Sequence, residues 1–358
     1  MRECSKCGFP LKVARFFEWR NDGTIISTDR ANTKAQITFL ELGELEKLFE
    51  VLSDTIKTPV DPFMIQAQKN IGKAINANLP VRHIKRIPNN RFFRPQWFVK
   101  MMVRLIREDI ALLGDGILSL DSYRAGHSLD LRLANPCLLP MLVGSSIGIY
   151  ESVEKMPGVD FEYGLEDGDL VIHMRHGEKT PESESRLYLE KVEPSTGMLD
   201  YESCPACGIP VMVAYTFEWD IDKGIIINRL TGKRKVVVSV QSVNAILREL
   251  ENELGAEIPG ILYDTQKDLT KVLLLDENTE DLDGFWKRHL EYLALRGLGY
   301  PLHFERDERS VSVGIGNAYN QVLFAAKIAA ALEVSTGLPS EISWVTREGG
   351  HGSYTISV

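Results

Sequence analysis

The sequence predicts an α+β protein made of two pseudo-symmetric copies, each a small antiparallel β ribbon with a Cys-x-x-Cys knuckle followed by an α/β domain. Three observations carry this expectation. Cys4-Ser-Lys-Cys7-Gly-Phe-Pro returns as Cys204-Pro-Ala-Cys207-Gly-Ile-Pro. Phe17-Glu18-Trp19 returns in the same register as Phe217-Glu218-Trp219, and two unrelated segments would not share both patterns at one spacing. After each knuckle the apolar residues recur first at the period of strands and then at that of helices, in the same order.

In the first copy, Leu11 to Trp19 reads as a strand, Asn21-Asp22-Gly23 as a tight turn and Thr24 to Ser27 as the returning strand. Lys34 to Leu40 gives a third strand. Leu45, Leu48, Phe49 and Leu52 recur at helical spacing, so a helix begins near Gly43, and a second spans Pro62 to Ile75. Residues 80–96, broken by prolines, read as an exposed loop. A long amphipathic helix over Gln96 to Leu113 ends at Gly114-Asp-Gly116. Ile117 to Leu120 and Leu129 to Leu133 alternate as strands, and Asn135-Pro136 stops the second. Over Leu139 to Val153 the small residues Gly144, Ser145 and Gly148 allow another element to lie close against a helix. A hairpin, Val159 to Tyr163 and Leu170 to Met174 about Glu166-Asp167-Gly168, closes the copy. Gly177 to Ser185 reads as an exposed linker before a short strand-like Leu187-Tyr-Leu.

The second copy follows suit. Ile225 to Ile227 and Val236 to Val240 are strands, and Val243, Ile246, Leu247 and Leu250 mark a helix. Pro259 to Leu275 and Asp283 to Arg296 are further helices, the latter stopped by Gly297-Leu-Gly299. Val311 to Ile315 alternates into Asn317, Val322 to Val334 is an alanine-rich helix, and Ile342 to Thr346 with Tyr354 to Val358 forms the last hairpin. Domain boundaries follow: ribbon-like halves over 1–42 and 201–240, α/β domains over 43–176 and 241–358, and a linker over 177–200. The span from Leu45 to Asn135 exceeds that from Val243 to Asn317 by 16 residues. The excess falls in the basic loop.

The C-terminal part of each copy, with its strand ending in Asn135 or Asn317, glycines at Gly114/Gly297 and Gly116/Gly299, a small-residue helix ending in Glu151 or Glu333, and a terminal hairpin, resembles the vinyl-reductase-type small-molecule-binding domain. That superfamily also includes haem-based nitric-oxide sensor domains and Golgi transport-particle subunits. The resemblance covers about residues 43–175 and 241–358. It implies an α/β domain that encloses an apolar ligand pocket or pairs with a copy of itself. Many members carry cysteines in the terminal hairpin, where this chain has Thr346 and Ser353, and the Tyr-x-Ser-x-Arg signature of the haem sensors is missing. Neither haem nor metal is expected in that part.

Composition sets the bounds of function. Of 358 residues, 44% are hydrophobic and 25% charged, ordinary for a globular protein, and the net charge of -9 argues against general nucleic-acid affinity. The longest apolar runs, such as Pro136 to Gly144, are too short and interrupted to span a bilayer, and Met-Arg-Glu-Cys lacks the apolar core of a signal peptide. A cytoplasmic location is the expectation.

Four of the five cysteines lie in the two Cys-x-x-Cys pairs. Two thiolates on one turn make half of a tetrahedral zinc site, so the economical reading is a single structural zinc held by Cys4, Cys7, Cys204 and Cys207. A dithiol or disulfide in each copy, sites completed between two chains, and an unfilled remnant are the alternatives. Cys137, in an apolar run, is expected in the core. Phe17, Trp19, Phe217 and Trp219 are expected to pack one ribbon face against the adjoining helices. The histidines form no metal spacing, and His173-x-x-His176 falls on a strand end. Glu151 and Glu333 end apolar helices, where burial would raise a carboxyl pKa; a bond to neighbouring backbone is the plainer reading.

Arg82, Lys85, Arg86, Arg91 and Arg94, with Phe92, Phe93 and Trp97, have the composition of a phosphate or single-strand nucleic-acid surface. An acidic chain favours a solvated or partner-docking loop instead. The second copy carries acidic Asp276, Glu277, Glu280, Asp281 and Asp283 at the corresponding place. Such loops can face each other within the chain or across a homodimer, or be unrelated solvated loops. The functional expectation is a non-catalytic small-molecule sensor or protein-partner adaptor, with pockets between the small-residue helices and the strands they cover. The second reading is a reductase-type enzyme acting on a hydrophobic or tetrapyrrole-like ligand, which the family resemblance alone suggests.

Overall fold

The computed structural model describes residues 2–28, 34–78, 96–156, 158–178, 199–275, 277, 279–307, 310–347 and 351–357. The N-terminal half runs α1 (Leu11–Phe16), β1 (Phe17–Trp19), β2 (Ile25–Thr28), β3 (Lys34–Glu41), α2 (Leu42–Ile56), α3 (Asp61–Asn78) and α4 (Gln96–Leu113). It continues through β4 (Ile117–Arg124), β5 (Ser128–Ala134), α5 (Leu139–Glu154), β6 (Gly158–Glu166) and β7 (Asp169–Gly177). The C-terminal half runs α6 (Val211–Thr216), β8 (Phe217–Asp220), β9 (Ile225–Asn228), β10 (Arg234–Ser239), α7 (Val240–Leu254) and α8 (Ile258–Leu274). Then come α9 (Leu282–Leu295), β11 (Tyr300–Arg306), β12 (Ser310–Gly316), α10 (Gln321–Thr336), β13 (Glu341–Arg347) and β14 (His351–Ser357). The class is α+β, with helices packed on antiparallel sheets. Among the described residues no helix is long and apolar enough to cross a membrane.

Three sheets organise the described residues. Two are four-stranded with the same connectivity, β4-β5-β7-β6 and β11-β12-β14-β13, and one is six-stranded, β1-β2-β3-β10-β9-β8. The six-stranded sheet is joined at its centre, where β3 and β10 pair antiparallel with Ile37 opposite Ser239 and Glu41 opposite Lys235. Side-chain alternation gives this sheet two apolar faces. Leu40, Val236 and Val238 face one core with α2, α7, α8 and α10, whereas Ile37, Phe39 and Val237 face another beneath the knuckles.

Each ribbon lies on the opposite half. Asn317 Nδ2 donates to the Asp22 carbonyl at 2.9 Å, and Asn135 Nδ2 donates to the Lys223 carbonyl at 3.2 Å. The Gly116 amide donates to the Gly224 carbonyl at 3.0 Å. Trp19 Nε1 donates at 2.9 Å to the Leu295 carbonyl at the end of α9, and Trp219 Nε1 at 3.1 Å to the Leu112 carbonyl near the end of α4. Both acceptors are helix-terminal carbonyls with no partner inside their own helix. The exchange continues into the next helices, with α2 packed on α8 and α7 on α3.

The structure corrects the first strand. Leu11–Phe16 is a single helical turn and a half starting after Pro10, and only Phe17–Trp19 is strand. Val13 and Phe16 are buried at helical spacing, but so short a helix leaves one such pair, which alternation mimics. The strand β11, passed over because Gly297-Leu-Gly299 reads as an ending, pairs with β12 around a register shift at Pro301. The basic loop Arg82 to Arg94 and the linker segment 179–198 lie outside the described residues.

The small residues of α5 do what their size permits. A Cβ on Gly148 would overlap the Lys69 carbonyl oxygen, and one on Gly144 would lie 2.5 Å from that of Ile65, so α5 and α3 touch backbone to backbone. Gly148→Ala is therefore expected to destabilise by about 1 to 3 kcal/mol. Gly43→Ala in α2, with nothing within 4 Å of the added methyl, is expected to stabilise by about 0.5 kcal/mol. Urea unfolding of the two variants beside the parent checks both signs.

Candidate metal centre and the buried charges beside it

The four knuckle cysteines converge. All four Sγ atoms lie within 4.8 Å of one another, with Cys4 to Cys204 at 3.7 Å and Cys7 to Cys207 at 3.5 Å. Both of these contacts cross between the halves. A tetrahedron of sulfurs around an ion at about 2.3 Å has edges of about 3.8 Å, so the donor set fits one four-coordinate metal ion.

Each knuckle is a tight turn held by its own backbone. The Cys4 amide donates to the Phe9 carbonyl and the Gly8 amide to the Cys4 carbonyl, at 2.8 and 2.9 Å; Cys204, Ile209 and Gly208 repeat this at 2.8 Å for both bonds. Gly8 and Gly208 have φ of 70° and 76°, the left-handed region where glycine carries no penalty. The turn aims amides at sulfur. Amide donation from Cys7 and Lys6 holds the Cys4 thiol down to about 6 against the effect of burial, and amides of Ala206 and Cys207 lower Cys204 in the same way. Burial raises Cys7 and pushes Cys207 up to about 12. Occupation of all four as thiolates therefore releases protons, and metal affinity falls as pH falls.

Under the knuckles lies an aromatic cluster drawn from both halves. Phe39 stacks on Phe217 at 5.3 Å and on Trp19 at 5.8 Å, and Phe9 meets Trp219 edge-on at 5.2 Å. The Phe-Glu-Trp repeats thus pack inward, each ending at the helix of the opposite half. Beside β1 an open cleft of about 220 Å³ is lined by Arg15, Phe16, Glu18, Trp19, Thr28 and Gly208, among others.

Glu151 and Glu333 are held in ion pairs. Lys69 and Lys73 of α3 reach Glu151 at 2.6 and 3.0 Å, and Lys267 and Lys271 of α8 reach Glu333 at 3.1 and 2.7 Å. The Ser340 amide and hydroxyl also donate to Glu333. Burial works to raise the Glu333 pKa, but Lys271, Ser340 and Lys267 together hold it at about 2, the opposite of what burial alone implies. Cys137 sits in the core, with its Sγ donating to Asp115 Oδ1 at 3.0 Å. His173 lies on β7 with Nδ1 2.9 Å from Asp130 Oδ1, and among the described residues it belongs to no group of three or more metal-binding side chains.

A cluster of buried charges went unseen in the sequence. Glu44 on α2 enters the C-terminal half and accepts from Lys327 Nζ and, at 2.5 Å, from Gln266 Nε2; Arg296 Nη2 stands 4.0 Å away. Arg296 Nε donates to the Phe39 carbonyl at 2.9 Å, and its own carbonyl accepts from the Phe39 amide and the Thr38 hydroxyl. Lys235 pairs with Glu41 across β3 and β10 at 3.0 Å. Burial opposes ionisation of Glu44, yet Lys327 and Arg296 hold it at about 2. His289 is driven down to about 3 by burial, Lys327 and Arg296, and stays neutral. In the N-terminal half Gln68 Nε2 of α3 donates to Ser145 Oγ of α5 at 2.9 Å. Lys327, alone among Leu323, Phe324, Ala325, Ala326, Ile328 and Ala329, was the readable signal, because a lysine ringed by apolar residues needs a buried partner.

Comparison with protein-family models, with curated proteins and with solved structures gave no match.

Lys327→Met leaves Glu44 buried without its cation and is expected to cost about 3 to 5 kcal/mol, with Glu44→Gln added to it restoring most of the loss. Chemical denaturation of the single and double variants checks this. Glu44 and Glu333 bind protons less readily folded, at about 2, than unfolded, at 4.5. Their stabilisation is complete above pH 4.5 and lost as pH falls toward 2. His289 makes acid destabilisation begin earlier, at its unfolded value of 6.5, because only the unfolded chain takes up that proton. Unfolding free energies measured from pH 7 to 4.5 are expected to fall less steeply for His289→Gln than for the parent.

Proposed function

We propose that the chain is a non-catalytic adaptor for a partner protein, built from two pseudo-symmetric copies that a single structural zinc clips together. In this reading residues 1–42 and 201–240 are zinc-ribbon-like halves, and 43–176 and 241–358 are vinyl-reductase-like domains. The observation that carries it is the meeting of Cys4, Cys7, Cys204 and Cys207 within 4.8 Å, two from each end of a 200-residue separation. Four thiolates fill the coordination sphere of zinc, leaving no position for a substrate, so the ion's role is to hold structure.

Packing favours the adaptor over a small-molecule sensor. Where the sequence suggests a pocket, between α10 and the strands beneath it, Phe324, Ile328, Val313, Ile315 and Ile356 pack together, each at most 1% exposed. In the N-terminal half Val143 and Ile147 of α5 pack likewise on Leu131, Leu133, Leu170 and Ile172.

Metal analysis of the purified protein is expected to give about one zinc per chain. Cys204→Ser is expected to lose the metal and to unfold both halves. Two metals per chain, or none in a stable reduced protein, would refute the shared site. A native mass spectrum of the protein isolated from its own cells is expected to show zinc and no organic molecule; a stoichiometric co-purifying small molecule would replace the adaptor with a ligand sensor.

A further inference from the structure

Strand β6 is the outer edge of the sheet β4-β5-β7-β6. It pairs with β7 in unbroken register from Gly158 opposite Gly177 to Glu166 opposite Asp169. Every residue from Asp160 to Glu166 is exposed. An edge strand leaves every second backbone N–H and C=O without a strand partner, and proteins usually blunt such edges. Several other edges here are blunted: β4 is broken by a bulge between Leu120 and Ser122 and has α4 against it, and β11 carries Pro301 with a register shift, whereas β13 pairs with β14 in unbroken register as β6 does with β7. Strands β1 and β8 span only three and four residues. Strand β6 has neither bulge nor proline.

Its two faces differ in chemistry. Phe161, Tyr163 and Leu165, 39%, 36% and 59% exposed, stand opposite the buried Met174, Ile172 and Leu170. The apolar face of the sheet therefore continues past the helices that cover it. On the other face Asp160, Glu162 and Glu166 join Asp121, Asp130 and Asp169 around Arg132, Arg175 and His173. Six carboxylates stand there against three guanidiniums, Arg124 completing the row of Ser128, Arg175 and Asp160.

We propose that β6 is a docking edge which takes an extended segment of a partner protein as a fifth strand, a segment whose apolar residues alternate with lysine or arginine. Main-chain bonds supply the affinity of such an added strand and alternate side chains its selectivity. The apolar side chains of the segment lie against Phe161, Tyr163 and Leu165, and its cations against Glu162 and its acidic neighbours. A second copy of this chain fits poorly. Antiparallel self-pairing centred on Glu162, Tyr163 or Gly164 opposes Glu162 to itself, Asp160 to Glu166, or Glu162 to Glu166, and like charges directly opposite are destabilising.

This docking edge deepens the adaptor reading and rests on it, yet it is tested apart from the zinc, whose content is measured in the same samples. A fluorescent heptapeptide of alternating lysine and valine is titrated with the full zinc-loaded protein at low salt, beside a peptide of alternating glutamate and valine. The lysine peptide is expected to bind at least tenfold more tightly than the glutamate peptide. Glu162→Lys combined with Leu165→Lys, two exposed positions whose change leaves the circular dichroism and zinc content intact, is expected to weaken it at least tenfold. Hydrogen exchange in β6 is expected to slow when the peptide binds. Equal affinity for the two peptides, undiminished binding by the double variant, or no saturable binding by the parent would overturn the edge while leaving the metal centre standing. A parent dimer that the double variant abolishes would also overturn it, by placing a second copy on β6.

Discussion

The antiparallel pairing of Ile37–Glu41 with Lys235–Ser239 is the constraint on which the molecule depends. It joins two short ribbons that would each be marginal alone into one six-stranded sheet, and it fixes where everything attached to them must go. The knuckles lead into the outer strands of that sheet, so the pairing brings two Cys-x-x-Cys turns to one place. The helices after β3 and β10 leave on its other side. One register thus sets the sulfur cluster above the sheet and the larger apolar core below it.

The same pairing commits each ribbon to the far half. Trp19 and Trp219 satisfy carbonyls at the ends of helices not their own, and Asn135 and Asn317, at φ of 52° and 56°, reach the opposite ribbon turns. Asparagine tolerates that left-handed backbone because its short amide can bond locally. Arg296 extends the pattern by bonding β3 through both its side chain and its backbone. Those of Trp219, Asn317 and Arg296 are backbone-directed bonds in buried places, where an unmatched group costs about 1 to 3 kcal/mol, so the join between halves is specified by geometry and not only by apolar area. Charge is placed unevenly across it. The C-terminal half encloses Glu44, Lys327, Arg296 and Lys235, while in the N-terminal half Gln68 bonds Ser145 and Lys69 and Lys73 pair with Glu151. Two N-terminal halves brought together would lack the cations that Glu44 requires.

Much of this was legible in the sequence. The repeated knuckle and Phe-Glu-Trp motifs announced ribbons and a shared cluster of cysteines, and helical periodicity located α2, α3, α4, α8, α9 and α10 to within a residue or three. The small residues of α5 foretold its close contact with α3. The exchange of ribbons was not legible, because periodicity tells which face of an element is apolar and not which half covers it. Glu44 lies among Leu42, Leu45 and Leu48 as a surface glutamate would, one residue from the expected boundary of the helix. Only tertiary contact makes it buried. Glu333 shows the converse: it is buried, but the paired lysines that reverse the effect of burial come from another helix, and two lysines of another helix likewise meet the buried Glu151.

Interlocking has a consequence for synthesis. A ribosome releases Phe17, Phe39 and Leu40 early, but Phe217, Arg296 and Asn317, which cover or anchor them, emerge after roughly half the chain or more has been made. The first ribbon must therefore wait, its apolar faces open to solvent, until the last third of translation delivers its seat. A nascent chain of this design relies on the speed of elongation or on a holding chaperone, and a truncated product leaves behind an adhesive remnant in place of a smaller working protein.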